Sequence, residues 1–283
     1  MNITVCGGGN AAHTLVGVLA AQPELNVNLF TPYGEEAWRW QENLEAGGEL
    51  ILQTPEGELR GRPQVVSDRP EEAVAGADLV LISLPAFAHE TILNSVAPHL
   101  GEGAWVGVLP ARGGFDLSAR RIFNHHDSLV VFGMQTLPWA CRTLQYGRSA
   151  RILGTKASTD LAAWPASRTG EVVDRLSELL NVRLEPISCF LSLSLAGTGQ
   201  IIHPGIMYGL FHDWRGETYA EAPLFYQNVD PFTANVLQQL SDEIQTVRGE
   251  VERRYPELDL SAVRPLRELS LIHISEPTRL RRI

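Results

Sequence analysis

Residues 2–20 read NITVCGGGNAAHTLVGVLA, and this stretch decides the fold. Asn2–Cys6 is a short apolar run with β-branched members, which suits a buried strand. AAHTLVGVLAAQ, with Leu15, Val18 and Leu19 among its apolar positions, reads as a helix. Between them Gly7-Gly8-Gly9-Asn10-Ala11-Ala12 fits the spacing G-x-G-x-x-A. The first glycine makes the tight turn, the second lets backbone approach a pyrophosphate, and Ala12 must be small for helix and strand to pack. The opening of the helix then offers free N–H groups and partial positive charge to phosphates. Gly7, Gly8, Gly9, Asn10, Ala11 and Ala12 are therefore candidate dinucleotide contacts.

Working outward, strands and helices alternate. Asn26–Thr31 (NVNLFT) is a second strand, Glu35–Asn43 an amphipathic helix, and Glu49–Arg60 a hairpin around Glu56-Gly57. Val65–Ser67, Ala77–Leu84, Ala104–Leu109 and Ser128–Met134 read as further strands, with helices at Pro70–Ala75 and Phe87–Leu100. This alternation predicts an α/β, Rossmann-type doubly wound domain with a mostly parallel sheet covered on both faces. After about residue 165 strand signals nearly vanish, and Thr169–Leu180, Ile187–Ile202, Ala234–Arg253 and, weakly, Pro204–Phe211 have helical spacing. The expected division is residues 1–160 for the dinucleotide-binding domain, 161–268 for a truncated all-helical domain, and 269–283 for a non-native tail. That tail contains LSLIHISEPTR (Leu269–Arg279), which resembles a one-frame translation of a transposon sequencing adapter.

Of the 283 residues 44% are hydrophobic and 20% charged, a mix that can bury a core. The formal net charge of −10 argues against nucleic acid and against an anionic membrane surface, both of which need a basic face. No run of about 18 uncharged apolar residues exists to span a membrane. VGVLAA near the N-terminus lacks the basic flank of a signal peptide and follows three glycines. Three cysteines make a disulfide framework unexpected and point to the cytoplasm. No His/Cys spacing suits a metal.

Cofactor choice rests on the end of the second strand, where an acid would hold the ribose of NAD and an arginine would suit NADP. Phe30-Thr31-Pro32-Tyr33 supplies neither, and Glu35 and Glu36 follow shortly. Their charge disfavours a 2′-phosphate and favours NAD(H), with Thr31 and Tyr33 as candidate contacts. Pro85 and Ala86 end a central strand on the side where open α/β sheets bind ligands, and are candidates to flank the dinucleotide.

Several segments together resemble the octopine/nopaline (opine) dehydrogenase family, above all its invertebrate octopine-forming members. They are VCGGGNAAHTL (5–15), LPAFAHE (84–90), LPARGGF (109–115), TLPWACR (136–142), LGTK (153–156), IIHPGIMYG (201–209) and EAPLFYQNVD (221–230). The resemblance implies a Rossmann domain followed by a helical domain, with substrates in the cleft between them. It implies NAD(P)H-dependent reductive condensation of an amino acid with a 2-oxo acid such as pyruvate, both small-molecule partners. By the same resemblance His203 is the proton-transferring residue, Thr136 binds the oxo-acid carboxylate, and Cys141 lines the nicotinamide pocket. Arg112 and Gln135 depart from the octopine pattern of glutamine and glutamate at those places. Arg112 then grips the oxo acid more strongly or alters its choice, and Gln135 weakens selection for a cationic amino acid. The family's histidine-activating aspartate is expected beyond Glu268, so the chain as given is expected to bind NAD(H) weakly and turn over little. A ketopantoate reductase or glycerol-3-phosphate dehydrogenase relative is one alternative, though the only lysine, Lys156, lies poorly for that chemistry. A non-catalytic nucleotide-binding protein is the other. The amino acid and the oligomeric state stay open.

Overall fold

A computed structural model of the chain describes residues 1–268 except 113, 127 and 222. The expectation of an adapter-derived tail falls on residues 269–283, outside the described residues. Two compact units divide at Ser194/Leu195.

The first unit opens as expected with β1 (Asn2–Cys6), α1 (Asn10–Ala20), β2 (Asn26–Phe30) and α2 (Glu36–Gly47). The hairpin β3 (Leu50–Thr54) and β4 (Gly57–Gly61) follows, then β5 (Val65–Ser67), α3 (Pro70–Ala73), β6 (Leu79–Ile82) and α4 (His89–Val96). Next come β7 (Trp105–Val108), α5 (Phe115–Ile122), β8 (Val130–Met134), β9 (Trp139–Gln145), β10 (Ser149–Thr155), β11 (Thr159–Trp164), α6 (Thr169–Leu180) and β12 (Leu184–Pro186). Eight strands form one sheet in the order β12-β11-β8-β7-β6-β1-β2-β5. It is parallel except where β11 runs antiparallel to β8.

Alternation along the central strands builds a core on each face. Ile3, Val5, Leu79 and Leu81 face one core with α1 and α6, while Cys6, Val80, Ile82, Val106 and Val108 face the other with α4 and α5. Strands buried on both faces need near-continuous apolar runs, which is why LVLI and WVGV were readable.

The sequence reading lacks a second sheet, β4-β3-β10-β9, which packs on α1. Its β9–β10 ribbon alternates buried and exposed positions and carries charges, so WACRTLQ and SARILGT give no apolar run to detect.

The domain boundary expected at residues 160/161 is corrected to 194/195. β11 pairs with β8, β12 pairs with β11, and α6 packs on both, so residues 159–186 belong to the sheet domain. The helix expected over Ile187–Ile202 is two: α7 (Phe190–Leu195), whose Phe190 and Leu193 sit in the first unit's core, and α8 (Gly199–Phe211).

Among its described residues the second unit contains helices and no strand: α8 and the long α9 (Pro231–Arg254). Asp230 caps α9 by accepting from the Thr233 amide at 2.7 Å, and Pro231 occupies the first turn, where its missing N–H costs nothing. Ile201, Ile206, Leu237 and Leu266 form the small core between α8, α9 and the segment after α9. No helix among the described residues is long and apolar enough to cross a membrane.

Candidate active site

The glycine turn lies at the C-terminal end of β1, in the middle of the sheet. Gly7 has φ +130, a backbone state that side chains rarely adopt. Its N–H donates to the Phe30 carbonyl at 2.9 Å, and an added Cβ would stand 2.8 Å from the Ser83 carbonyl oxygen. A Cβ on Gly8 would run into the Glu36 carboxylate and the Tyr146 hydroxyl. Gly9 and Asn10 are exposed, and no side chain caps α1. The amides that open α1 therefore face outward with the helix dipole behind them, as a phosphate-binding turn requires. Ala11 is half-buried, and Ala12 is fully buried against the sheet, where its small side chain permits the close crossing.

A wedge of buried side chains fixes this turn to the second sheet. His13 is wholly buried, donates from Nδ1 to the Gly9 carbonyl at 2.8 Å, and accepts at Nε2 from the Gly147 amide at 2.9 Å. Those two bonds assign the tautomer. Its ring lies 4.1 Å from Trp40 and 5.0 Å from Tyr146, centroid to centroid. Burial pulls its pKa down to about 4, so it is neutral at physiological pH. Asn10 adds a second clamp, its Oδ1 accepting from the Thr143 amide of β9 at 2.8 Å.

The end of β2 carries Thr31, fully buried, and Tyr33, half-buried. The Thr31 hydroxyl donates to the Glu36 carboxylate, which α2 brings back over Gly8. Thus the acid missing from the strand end in sequence is supplied in space by the first turn of the next helix. Among the described residues the hydroxyls of Tyr33 and Ser83 are buried without a hydrogen-bond partner. Groups so placed are costly unless something else satisfies them. Outward amides, the open space beside Gly9, a carboxylate and the unpartnered hydroxyls together fit a dinucleotide.

Further along the sheet, Pro85 and Ala86 are exposed just beyond β6. His89, at the start of α4, is buried and donates from Nε2 to the Leu84 carbonyl at 3.0 Å, and burial lowers its pKa. It staples the turn that carries Pro85. Beyond β7 and β8 the Ala111 amide donates to the Met134 carbonyl at 2.8 Å, which brings Arg112 and Thr136 to the same end of the sheet. Gln135, half-buried between them in sequence, donates its amide to the Asp160 carbonyl. Arg112 is half-buried, and burial lowers its pKa.

Lys156, discounted in the sequence reading, is brought into this group. The residue as a whole is exposed, but its Nζ donates to the Thr136 hydroxyl at 2.8 Å, and partial burial of the ammonium, with the Arg112 charge second, pulls its pKa below the usual lysine value. Twenty residues separate the two partners, and only the unread β9–β10 ribbon closes that gap. Cys141, on β9, is half-buried beside Thr14 of α1, and burial raises its thiol pKa. A hollow lined by Asp78, Trp105, Glu171 and Arg175 lies at the opposite, N-terminal ends of the strands, where open α/β sheets do not bind their ligands.

In the second unit, His203 lies inside α8 rather than at a helix end, one residue before Pro204, and is exposed. Its Nδ1 donates to the Gly199 carbonyl at 3.1 Å, which leaves Nε2 to accept from the Tyr226 hydroxyl at 3.3 Å. Phe225 lies beside the ring at 5.8 Å. Tyr226, which meets the His203 ring, was not singled out in the sequence reading, although it belongs to the EAPLFYQNVD segment. Among the described residues no three His, Cys, Asp or Glu side chains could together hold a metal.

A doubly wound sheet with a phosphate-binding turn at β1, followed by a helical unit bearing an exposed histidine, defines a two-domain nicotinamide-dinucleotide oxidoreductase. The family model for the alpha-helical domain of NAD/NADP octopine/nopaline dehydrogenase matches residues 186–274. Octopine dehydrogenase of Mizuhopecten yessoensis is 37% identical over 286 residues, covering 98% of this chain and 71% of that protein. Tauropine dehydrogenase of Arabella iricolor is 33% identical, covering 92% and 68%. The structure of octopine dehydrogenase with NADH and L-arginine superposes with a TM-score of 0.88 at 33% identity, over 98% of this chain and 70% of that one. The chain belongs to the octopine/nopaline (opine) dehydrogenase family. A ketopantoate reductase from Ralstonia eutropha, at 17% identity and TM-score 0.62, shares the fold alone.

Proposed function

We propose that this chain carries out the NAD(P)H-dependent reductive condensation of an amino acid with a 2-oxo acid such as pyruvate. The observation that carries the reading is the match of 98% of the chain, glycine turn and His203 segment included, to octopine dehydrogenases. When bound, the nicotinamide supplies hydride to carbon. The remaining tasks fall to this chain. The amides of Gly9, Asn10, Ala11 and Ala12 hold the pyrophosphate, with Gly9 leaving its approach open and Gly7 and Gly8 letting the turn pack on Ser83, Glu36 and Tyr146. Thr31, Tyr33 and Glu36 meet the adenosine ribose. The Glu36 carboxylate repels a 2′-phosphate, which favours NAD(H) over NADP(H). Pro85, Ala86 and Cys141 flank the dinucleotide.

At the substrate end Arg112 and Thr136 bind the oxo-acid carboxylate and Gln135 meets the amino acid. Reduction of a C=N bond leaves charge on nitrogen, and the His203 Nε2, protonated, delivers the proton there. The Gly199 carbonyl holds the ring so that Nε2 is the working nitrogen. Three free cysteines, Cys6, Cys141 and Cys189, suit a reducing cytoplasm.

The test is NADH oxidation by the full chain with 2-oxo acids and a panel of amino acids. His203→Asn is expected to lower kcat about a hundredfold or more while NADH fluorescence still reports binding. Unchanged turnover in that variant removes His203 from the reaction.

A further inference from the structure

We infer that His89 is a positioning residue for the nicotinamide: its imidazole fixes the turn that ends β6, and that turn sets how the nicotinamide lies. The inference rests on the reductive-condensation reading and adds to it a residue that touches neither cofactor nor substrate.

The sheet order gives the nicotinamide its side. The pyrophosphate belongs at the opening of α1, beyond β1, and the Glu36 carboxylate that meets the adenosine ribose comes from the β2 side. β1 lies between β2 and β6, so the other half of a dinucleotide extends over β6. The turn that leaves β6 runs Leu84, Pro85, Ala86 and Phe87. Leu84 is half-buried and the other three are exposed, so little packing restrains the turn. Pro85 has no N–H to donate. Within the turn the Ala88 amide donates to the Pro85 carbonyl at 2.9 Å. Among the described residues the one side-chain hydrogen bond to it runs from the His89 Nε2 to the Leu84 carbonyl, at 3.0 Å.

Among the described residues two histidines are buried, and they differ. His13 uses both ring nitrogens. His89 uses one, because its Nδ1 is buried with no well-formed hydrogen bond among the described residues. Burial disfavours the charged ring, so Nε2 carries the proton and Nδ1 is a bare acceptor. A phenyl or leucine side chain would fill the space without that cost. What an apolar residue could not supply is the donor to Leu84. The ring in turn stands edge-on to Phe115, centroids 5.4 Å apart at 87°, and Phe115 is buried at the opening of α5. The imidazole therefore spans from the turn after β6 to the helix after β7. Displacing a group that orients the reacting carbon by about 1 Å is enough to lower the rate by an order of magnitude or more.

The experiment compares the full chain with His89→Phe, which keeps a ring beside Phe115 and loses the donor, and with His89→Gln, which keeps a donor for Leu84. Each is titrated with NADH, the emission of the bound nicotinamide is recorded, and turnover is measured with NADH and with NADH deuterated at the hydride-bearing carbon. His89→Phe is expected to hold NADH within about threefold of the unaltered affinity, because the pyrophosphate turn is untouched. Its bound nicotinamide should emit at longer wavelength with a shorter lifetime. Its kcat should fall about tenfold or more, and the isotope effect should rise as hydride transfer becomes the slow step. His89→Gln should recover most of each. His89→Met, unbranched and without a donor, serves as the second variant if His89→Phe melts early. Unaltered emission and isotope effect in a folded variant without the donor, or a His89→Gln no nearer the unaltered chain, overturns the inference and leaves the reductive-condensation reading intact. A fall in kcat matched by a fall in NADH-binding sites, with the isotope effect unmoved, marks a purely structural role and overturns it too. Where turnover is slow throughout, the emission comparison decides. If the unaltered chain does not bind NADH, the inference and the reading beneath it fall together.

Discussion

In α1 the His13 Nδ1 donates to the Gly9 carbonyl four residues back; in α8 the His203 Nδ1 does the same to Gly199. Both carbonyls belong to glycines, and both rings lie beside aromatic neighbours. The contrast lies at the other nitrogen. The His13 Nε2 is sealed from water and committed to the Gly147 amide, and burial holds its pKa near 4. The His203 Nε2 is open and holds only a 3.3 Å contact with the Tyr226 hydroxyl. One local geometry thus serves a fixed joint in the first unit and, in the second, an imidazole with one nitrogen open, as the proposed proton carrier needs. Local pattern orients an imidazole, and burial of the second nitrogen decides whether it can exchange a proton.

The sharpest way to break this comparison is to remove the joint. His13→Ala leaves a cavity and strips the Gly147 amide of its acceptor, so a loss of about 4 kcal/mol in unfolding free energy is expected from urea denaturation. A loss below about 1 kcal/mol would mean that the buried ring is not a joint.

The next effect is on pH dependence. His13 has a folded pKa near 4 against an ordinary value of 6.5, so as pH falls the unfolded chain takes up the proton first. Its contribution is whole above pH 6.5, declines between 6.5 and 4, and is gone below; it totals on the order of 3 kcal/mol. His89, also lowered by burial, adds in the same direction. Denaturation midpoints followed from pH 7 to 4 should fall.

The smallest effect sharpens the other half. Tyr226→Phe removes a long hydrogen bond from an exposed ring, so kcat should drop only roughly two- to fivefold, with the stability curve unmoved. A loss as deep as that of His203→Asn would give Tyr226 a direct part in the chemistry.

The sequence shows the first half of this contrast only in part. Strand β1, the glycine turn and α1 are legible because their spacing follows from sterics at a single point in the chain. His13 looks like any apolar-face histidine, since its partners Trp40, Tyr146 and Gly147 arrive from α2 and from the turn of a ribbon that carries no apolar run. Lys156 was unreadable for the same reason, because its approach to Thr136 depends on where β10 ends. Glu36 was noticed only as a charge near a strand end, and its return over Gly8 comes from the direction in which α2 departs. His203 was found through its surrounding segment rather than through any property of an isolated histidine. The boundary at Ser194 was missed because β11 and β12 add to the far edge of the sheet in short, mixed runs that resemble helical surroundings.

Two amides of the second sheet, those of Thr143 and Gly147, donate to side chains on the opening turns of α1, 133 and 134 residues distant in sequence. Each is a built-in gauge: its exchange with deuterated water is slow only while the Asn10 and His13 side chains stay seated. Breathing of the glycine turn, and its quieting when phosphate groups arrive, can therefore be timed at two backbone positions of the second sheet, with no label attached.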